Sequence, residues 1–491
     1  MDVLLIKPYT HISNVLAPLG LAYLATALRK SGLSSKVLHC YKDDVDIPRI
    51  IDIVRRQGVK CVGVTVCSND HLWVQRFAEV LEPFDDVKLV LGGPHATGLG
   101  KRLMQLIPRT DFIVKSEGEI AFPMLVRGIL DKNLDDKTLQ VIPNLVWKNS
   151  CGELIENPVG FPPNLDELQM PDWDQLEPKK FAKYAPHGGF AKLSPVAQLI
   201  TTRGCPYSCR YCAAYVMNGK KIRMRSGESV VEEMQYLIKD HGIREFHIED
   251  DNFTFYKEHV VNVCSAIRKA GIKVPLGIPN GVRVDRLDDE ICSEMKSAGF
   301  YFFSIGLESG SPQTLKQMKK ALNLEKAKLG IQLIKKYGFR VKGFFILGYP
   351  HEAKKEMLET IEWSKSLPLD QAYYSIYIPL PGTPEFISLE EDGLLDINNC
   401  RWEDFYTGKF SDPPYIPDGM TAIELKKLVA YAYRSFYMRP RVLLTMARDV
   451  TSLTQVKHLA RRSSSLLSGI LAKETSPSAK NESTHELVNA K

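Results

Sequence analysis

Three cysteines stand close together in the stretch TTRGCPYSCRYCAAY, residues 201–215. Cys205, Cys209 and Cys212 form a C-x3-C-x2-C run. With ten cysteines in 491 residues, composition alone gives roughly 0.004 matches to this spacing, so the run is a strong signal. Three thiols are too many for one disulfide and one too few for a closed zinc site. The spacing therefore points to a metal group with an open position.

Two metal groups use thiolate ligands in this way. Structural zinc takes four ligands, and the nearest histidine that could complete the set in sequence is His187. A four-iron iron–sulfur cluster normally takes one cysteine per iron, so three cysteines leave one iron open to a substrate or cofactor. The ligand count favours the open-site cluster over zinc. The alternative without chemistry is three buried thiols on one loop.

The composition is that of a globular protein, with 44% hydrophobic and 25% charged residues. A chain of 491 residues is too long for one ordinary core, so two or three domains are predicted. The formal net charge of +6 is small for this length and does not by itself suggest nucleic acid.

The amino terminus and the cysteines together predict a cytoplasmic protein. MDVLLIKPYT has a short apolar run before Lys7 and Pro8, which is typical of a buried strand rather than a signal peptide. No window of about 18 uninterrupted apolar residues occurs, so no membrane span is expected. Clustered thiols on such a chain indicate a reducing compartment. The remaining cysteines are expected to be buried packing residues: Cys40, Cys61, Cys67, Cys151, Cys264, Cys292 and Cys400.

Residues 1–135 are predicted to form an α/β domain with a doubly wound parallel sheet of flavodoxin-like order. Short β-rich runs alternate with helix-period segments, and the runs are VLLI (3–6), KVLHC (36–40), CVGVTV (61–66), KLVLGG (88–93) and DFIVKS (111–116). Such sheets bind ligands beyond the carboxyl ends of their strands. Those ends read TVCSND, GGPHAT and SEGE here, which predicts a binding crevice.

The rest of the chain divides by pattern into four further parts. Residues 136–190 are rich in Pro and Asn and are predicted to be a linker. Residues 191–400 contain six successive βα units, which predict a partial (β/α)6 barrel with its site at the carboxyl-terminal mouth. The cysteine run directly follows the first of these strands. Residues 401–470 are predicted to form a helical extension and residues 471–491 a disordered tail.

The cysteine run resembles the cluster signature of the radical S-adenosylmethionine (SAM) enzymes, in which an aromatic residue stands before the last cysteine. Five later segments also resemble motifs of that family: FHIEDDNF (246–253), NGVRVD (280–285), IGLESGS (305–311), GFFILGYPHE (343–352) and PLPGTPEF (379–386). The resemblance implies that SAM chelates the open iron and that one electron from the cluster cleaves it to methionine and a 5′-deoxyadenosyl radical. It assigns these residues to the binding of SAM: Tyr211, Glu249, Asp250, Asn280, Arg283, Glu308 and Gly348.

Three of these assignments also make physical sense by themselves. A carboxylate such as Glu249 can pair with the ammonium of SAM, and Arg283 can pair with its carboxylate. Glu308 can accept hydrogen bonds from ribose hydroxyls. The alternative for each is a structural ion pair at the end of a strand.

The first domain resembles the cobalamin-binding domain that precedes the barrel in one branch of that family. The segments concerned are APLGLAYLATAL (17–28), VGVTVCSND (62–70), LGGPHAT (91–97) and SEGE (116–119). The resemblance assigns the following residues to cobalamin: Pro18, Leu19, Gly20, Thr65, Ser68, Gly92, Gly93, Pro94, His95, Glu117 and Gly118. Together, the resemblances of the first domain and the barrel cover roughly residues 1–400, with their motifs in the expected order.

The domain departs from one known cobalamin pattern. Cobalamin domains that ligate cobalt through histidine carry D-x-H-x-x-G, and that run is missing from this sequence. We therefore expect bound cobalamin to have its own base displaced and no histidine below the cobalt. A hydrogen-bonded turn histidine is an equally good interpretation of His95.

The resemblance favours a cobalamin-dependent radical SAM methyltransferase that methylates an unactivated carbon. The alternative within the branch is a cyclase or rearranging enzyme of the oxygen-independent porphyrin cyclase type. A methylthiotransferase is disfavoured because the scattered cysteines of the first domain do not form a second ligand set. A cobalamin sensor with a degenerate barrel is disfavoured by the intact cysteine run.

The expected partners are a small-molecule substrate and an external electron donor such as flavodoxin or ferredoxin. A lipid, a tetrapyrrole or a secondary metabolite all remain open as the substrate, and no nucleic acid is expected. Residues 430–473 contain eight basic residues and one acidic residue, Asp449. This segment is expected either to touch an anionic membrane or to pack as a solvated helix face on the barrel.

Overall fold

A computed structural model of the chain describes residues 1–9, 15–406 and 412–449. Its first sheet has seven strands in the order β2-β1-β3-β4-β5-β6-β7. The first five strands run parallel, as predicted, and the last two add in antiparallel fashion. Their bounds are β1 (Val3–Lys7), β2 (Ser35–His39), β3 (Cys61–Thr65), β4 (Lys88–Gly92), β5 (Phe112–Val114), β6 (Leu145–Lys148) and β7 (Leu154–Glu156). The last two come from the stretch predicted to be a linker.

Helices cover both faces of this sheet. They are α1 (Leu19–Lys30), α2 (Cys40–Asp43), α3 (Ile47–Gln57), α4 (His71–Leu81), α5 (Gly93–Leu99), α6 (Lys101–Leu106), α7 (Ala121–Leu130) and α8 (Asp136–Leu139). Successive residues of β1 therefore enter different cores: Leu5 packs with Phe122 on one face and Leu4 with Phe77 on the other. This two-sided burial explains why the strands are apolar runs without alternation.

The segment between the domains is hydrogen-bonded to both of them. It contains α9 (Trp173–Leu176) and three short 3-10 turns, Asp166–Leu168, Pro178–Lys183 and His187–Gly189. Asp172 pairs with Arg29 of α1 at 2.6 Å. The indole of Trp173 donates to Glu233 in the second domain at 2.8 Å.

The second domain is the predicted partial barrel. Its six-stranded sheet has the order β15-β14-β13-β12-β11-β8, with every neighbouring pair parallel. The strands are β8 (Val196–Leu199), β11 (Glu245–Ile248), β12 (Leu276–Val282), β13 (Phe300–Glu308), β14 (Arg340–Leu347) and β15 (Gln371–Ile376), and β9 (Thr202–Arg203) and β10 (Arg223–Met224) form a separate antiparallel ribbon. The helices are α10 (Ala214–Asn218), α11 (Gly227–His241), α12 (Lys257–Lys269), α13 (Asp289–Ser297), α14 (Pro312–Gln317), α15 (Leu324–Lys336), α16 (Lys354–Ser366) and α17 (Pro384–Glu391).

The two domains touch main chain to main chain. Gly98 in α5 lies against Pro381, and a Cβ placed on Gly382 would come within 2.8 Å of the Cα of Gly98. Beside this contact, Arg102 donates to both carboxylate oxygens of Glu390 at 2.7 and 2.9 Å.

Two helices follow the barrel, α18 (Ala422–Tyr437) and α19 (Pro440–Asp449). The hydroxyls of Tyr433 and Tyr437 donate to main-chain carbonyls of β15, at Tyr374 and Ala372. The α18 helix thus covers the last strand of the open barrel. Within the described part of the chain, none of the helices has the length and apolarity needed to cross a membrane. The expectations for residues 450–491, including the disordered tail, lie outside the described residues.

Candidate cofactor site at the mouth of the barrel

The three cysteines lie on one loop after β8 and β9, at the carboxyl-terminal mouth of the barrel. Gly204 precedes the run with φ +103, and a side chain there would collide with the main chain of Lys221. The amide of Cys205 donates to the carbonyl of Gly219 at 3.0 Å, and the amide of Arg210 donates to that of Met318 at 2.9 Å. Main-chain hydrogen bonds thus fix the loop at Cys205 and again at Arg210, between the second and third cysteines.

The donor set fits an iron–sulfur cluster better than a single ion. Among residues 1–9, 15–406 and 412–449, no three His, Cys, Asp or Glu side chains are arranged to hold one metal ion. In a four-iron cluster each thiolate bonds a different iron atom, so its thiols need not converge on one point. Burial raises the pKa of the Cys212 thiol to about 12, and the neighbouring Cys209 and Cys205 contribute in the same direction. A positively charged group such as iron is what would stabilise these thiolates together.

A buried lysine that the sequence did not indicate lies beside this loop. Lys320 donates to Glu308 at 3.0 Å and to the hydroxyl of Tyr211 at 3.3 Å. Burial opposes its charge, but Glu308 and Cys209 raise its pKa. Glu308 ends β13 with φ +62, a conformation that costs energy for a residue with a side chain and is frequent at functional sites. Two predicted site residues, Tyr211 and Glu308, are therefore connected through Lys320.

Arg283 has one buried nitrogen that is free to meet a ligand. Its guanidinium donates to both oxygens of Asp285 and to the carbonyl of Ala321, and it stacks over the Tyr207 ring at 4.5 Å. Its remaining nitrogen, Nη1, is buried and has no hydrogen-bond partner. Burial lowers the pKa of Arg283, but Asp285, Tyr207 and Cys209 raise it overall. An unpaired buried donor close to the cysteine loop suits a carboxylate.

The acidic pair at the end of β11 divides into two roles. Oε2 of Glu249 lies 2.7 Å from Nδ1 of His187, and its main-chain carbonyl accepts from Asn280 at 2.8 Å. The carboxylate of Asp250 instead accepts from the main chain and hydroxyl of Thr201 and from the hydroxyl of Thr202. Burial raises the pKa of Asp250 to about 6. Asp250 thus anchors the strand before the cysteines, whereas Glu249 faces an open cavity.

Gly348 lies at the end of β14 with φ +80. Its amide donates to Glu352 at 2.8 Å, and its Cα side packs against Leu425 of α18. The turn therefore needs glycine for its conformation and for the close approach of the carboxyl-terminal helix.

A cavity of about 280 Å³ lies between the two domains. Its lining includes Glu249, Asp251, Thr202 and Arg203 from the barrel, and these residues predicted for cobalamin: Gly20, Thr65, Gly92, Gly93, Pro94, Glu117 and Gly118. A Cβ on Gly93 would come within 2.6 Å of the Thr65 hydroxyl, and one on Gly118 within 3.0 Å of Leu24. Neither glycine has room for a side chain. The cavity lies beyond the carboxyl ends of β3 and β4, where sheets of this kind bind ligands.

Four residues predicted for cobalamin do not line this cavity: Pro18, Leu19, Ser68 and His95. His95 is fully buried, with Ser68 and His71 each 3.1 Å from its ring nitrogens, and it stacks edge-on against Trp402 at 4.6 Å. Burial lowers its pKa well below the usual value. His95 and Ser68 thus have structural partners, in agreement with the turn-histidine interpretation. Pro18 and Leu19 begin α1 beside the cavity wall.

A buried ion-pair cluster joins the cavity to the cysteine loop. Glu117 accepts two hydrogen bonds from Arg223, at 2.5 and 2.8 Å, and one from Arg203 at 2.9 Å. Arg203 also pairs with Glu119 at 2.8 Å and lies over the Tyr23 ring. The sequence indicated Glu117 but neither arginine. The two arginines lie on another domain, so no local sequence pattern connects them with Glu117.

Comparisons with known proteins agree with this arrangement. Residues 199–364 match the Radical SAM superfamily, and residues 9–126 match the B12 binding domain. The chain is 30% identical over 454 residues to an uncharacterized methyltransferase of Pyrococcus horikoshii, covering 90% of this chain and 94% of the relative. It is 26% identical to the anaerobic magnesium-protoporphyrin IX monomethyl ester cyclase of Rubrivivax gelatinosus, covering 90% of this chain and 78% of that one.

A solved structure shares the fold. The radical SAM methyltransferase TsrM of Kitasatospora setae, with cobalamin and a 4Fe-4S cluster bound, superposes with a TM-score of 0.70 at 18% identity. The match covers 90% of this chain and 92% of TsrM. The sequence relatives and the two matched domains, on either side of one cavity, lead to a single conclusion. The chain belongs to the cobalamin-binding radical SAM enzyme family, and its cofactors are a 4Fe-4S cluster, SAM and cobalamin.

Proposed function

We propose that this enzyme is a methyltransferase that adds a methyl group to an unactivated carbon of a small molecule. The observation that carries the proposal is the shared cavity: Glu249, assigned to SAM, lines the same space as Gly93 and Glu117, assigned to cobalamin. A methyl carrier and a radical source would therefore meet at one substrate. Two of the curated relatives, from Pyrococcus horikoshii and Streptomyces wedmorensis, are described as methyltransferases.

Each part of the site has a proposed task. The loop of Cys205, Cys209 and Cys212 holds the cluster, the free nitrogen of Arg283 binds the SAM carboxylate, and Glu249 binds its ammonium. Glu308 accepts from the ribose hydroxyls, with Lys320 fixing its orientation. The glycine-lined part of the cavity holds cobalamin. When bound, these groups supply a 5′-deoxyadenosyl radical and a transferable methyl group.

Product analysis tests this proposal against its main alternative. Extracts of host cells that lack the protein are incubated with the reduced, reconstituted enzyme and SAM labelled as trideuteromethyl. A methyltransferase forms 5′-deoxyadenosine and S-adenosylhomocysteine together, and one extract component gains the labelled methyl. 5′-Deoxyadenosine with a product of unchanged carbon count would contradict methyl transfer.

The alternative is a cyclase or rearranging enzyme with the same cofactors. It is favoured by the cyclase of Rubrivivax gelatinosus, whose match also covers 90% of this chain. The same incubation separates the two, because a cyclase would consume SAM without forming S-adenosylhomocysteine.

We also propose that the carboxyl-terminal region contacts an anionic membrane surface. Met438 and Leu444 are 67% and 61% exposed, and Arg434 and Arg441 are exposed near them. Exposed apolar and basic side chains together suit an anionic bilayer. The protein should sediment with phosphatidylglycerol vesicles but not with phosphatidylcholine vesicles. Leu444→Ser should reduce the fraction that sediments with phosphatidylglycerol vesicles. Leu329→Ser on α15 is the control, and equal loss in both variants would contradict the proposal.

A further inference from the structure

The segment between the domains contacts the strands of the barrel through the turn His187–Gly189. A Cβ on Gly188 would come within 2.7 Å of the Cβ of Pro279 on β12, and Gly188 has φ +76. Its carbonyl accepts a hydrogen bond from Lys342 of β14 at 3.2 Å. The turn is thus seated on two barrel strands at a position where only glycine fits.

This seating brings His187 to the carboxylate that faces the cavity. Nδ1 of His187 lies 2.7 Å from Oε2 of Glu249, whereas Nε2 of Gln198 is 3.4 Å from Oε1. The closest hydrogen bond to this carboxylate therefore comes from the linker and not from a neighbouring strand. Glu249 is itself one of the residues that line the interdomain cavity.

A carboxylate can accept several hydrogen bonds at once, so the one to His187 leaves capacity for a cation. A carboxylate held in one orientation binds such a cation more tightly than a mobile one, because less conformational freedom is lost on binding. The histidine is half-buried, so its contact with Glu249 is only partly screened by water.

We propose that His187 is a positioning residue that holds Glu249 in the orientation that accepts the SAM ammonium. The linker between the cobalamin domain and the barrel then takes part directly in SAM binding. This inference rests on the proposed role of Glu249 in binding SAM. It assigns a role to a residue of a segment that carries no motif of the family resemblance.

Calorimetric binding to the full-length, anaerobically reconstituted protein tests the inference. The two ligands are SAM and 5′-methylthioadenosine, which lacks the amino-acid part and so cannot contact Glu249 through an ammonium. His187→Ala should weaken SAM binding about tenfold and leave the binding of 5′-methylthioadenosine unaffected. An effect of this size is typical when a residue that orients a ligand-binding side chain is removed. His187→Gln, which keeps a donor, should recover part of the affinity.

Two further variants separate the inference from its foundation. Glu249→Gln should weaken SAM binding at least as much as His187→Ala, and His241→Ala, a histidine on α11 beside Asp174, should change nothing. If Glu249→Gln weakens SAM binding and a folded His187→Ala does not, His187 has no positioning role. If neither variant affects SAM binding, the role of Glu249 fails and the inference fails with it. Equal weakening of both ligands by His187→Ala would also overturn it, because that result indicates general damage to the site.

Discussion

Glu117, which follows the fifth strand of the cobalamin domain, accepts hydrogen bonds from both terminal nitrogens of Arg223 in the barrel. Both side chains are buried. Glu117 also accepts from Arg203, two residues before Cys205. One carboxylate thus fixes the cobalamin cavity relative to the cysteine loop, and four predictions follow from this and the other contacts of the site.

Loss of the Glu117 charge should destabilise the protein strongly. Glu117→Gln leaves the buried guanidinium of Arg223 without a carboxylate partner and leaves Arg203 paired with Glu119 alone. Removal of one member of a buried ion pair costs about 3–5 kcal/mol. The measurement is the free energy of unfolding in denaturant, with Asp86→Asn as control because its pair with Lys60 is exposed. Equal small effects for both variants would show that the interdomain pair adds little.

Removal of a cluster thiol should abolish radical chemistry and spare cobalamin. Cys209→Ala is expected to lose the iron–sulfur absorbance and the reductive cleavage of SAM, since an iron loses its only protein ligand. Cobalamin should still bind, because none of the cavity residues is altered. Cys151→Ala is the control, because this thiol is exposed and not buried as the sequence predicted. Normal SAM cleavage by Cys209→Ala would refute the assignment of the cluster loop.

Two of the cavity glycines, Gly93 and Gly20, should tolerate alanine very differently. At Gly93, with φ +86, a Cβ would meet Thr65 at 2.6 Å and the Val66 amide at 2.9 Å. Gly93→Ala should therefore reduce both stability and cobalamin affinity. At Gly20 in α1 a Cβ meets nothing within 4 Å, so Gly20→Ala should leave stability unchanged or raise it by up to about 1 kcal/mol. Thermal unfolding and cobalamin titration of the two variants check this prediction. Equal stability and equal cobalamin affinity of Gly93→Ala and Gly20→Ala would contradict it.

The stability of the protein should depend on pH through Glu352. Burial raises the pKa of this carboxyl from 4.5 to about 7. Between these values the folded state binds more protons than the unfolded state, so the contribution of Glu352 to stability falls as the pH rises. The fall amounts to about 3 kcal/mol at 1.4 kcal/mol per pKa unit. Glu352→Gln should remove this component, seen as the difference between variant and wild type in denaturant unfolding from pH 5 to pH 8. An unchanged pH profile would contradict it.

The sequence predicted what is local and missed what is brought together from a distance. The strand-end positions of Glu249, Arg283 and Glu308 could be predicted because each directly follows or ends an apolar run. Lys320 could not, since its partner Glu308 is reached only after the chain turns back over the loop through α14.

Side-chain direction was equally hard to predict. Glu249 and Asp250 are adjacent and chemically alike, yet one faces the cavity and the other is used by Thr201 and Thr202. Adjacent residues at a strand end point to opposite faces, and only the structure shows which face holds the ligand space. The strands β6 and β7 were missed for another reason. They are short strands added at one end of the parallel sheet, and the prolines around them are more typical of a linker.

The contact between Gly98 and Gly382 has a consequence for the working cycle of the enzyme. Where two main chains meet without intervening side chains, no change of side-chain rotamer can accommodate a shift of one chain along the other. The two domains are therefore held rigidly together at this point. Any opening between the domains that admits a substrate therefore has to occur away from this contact.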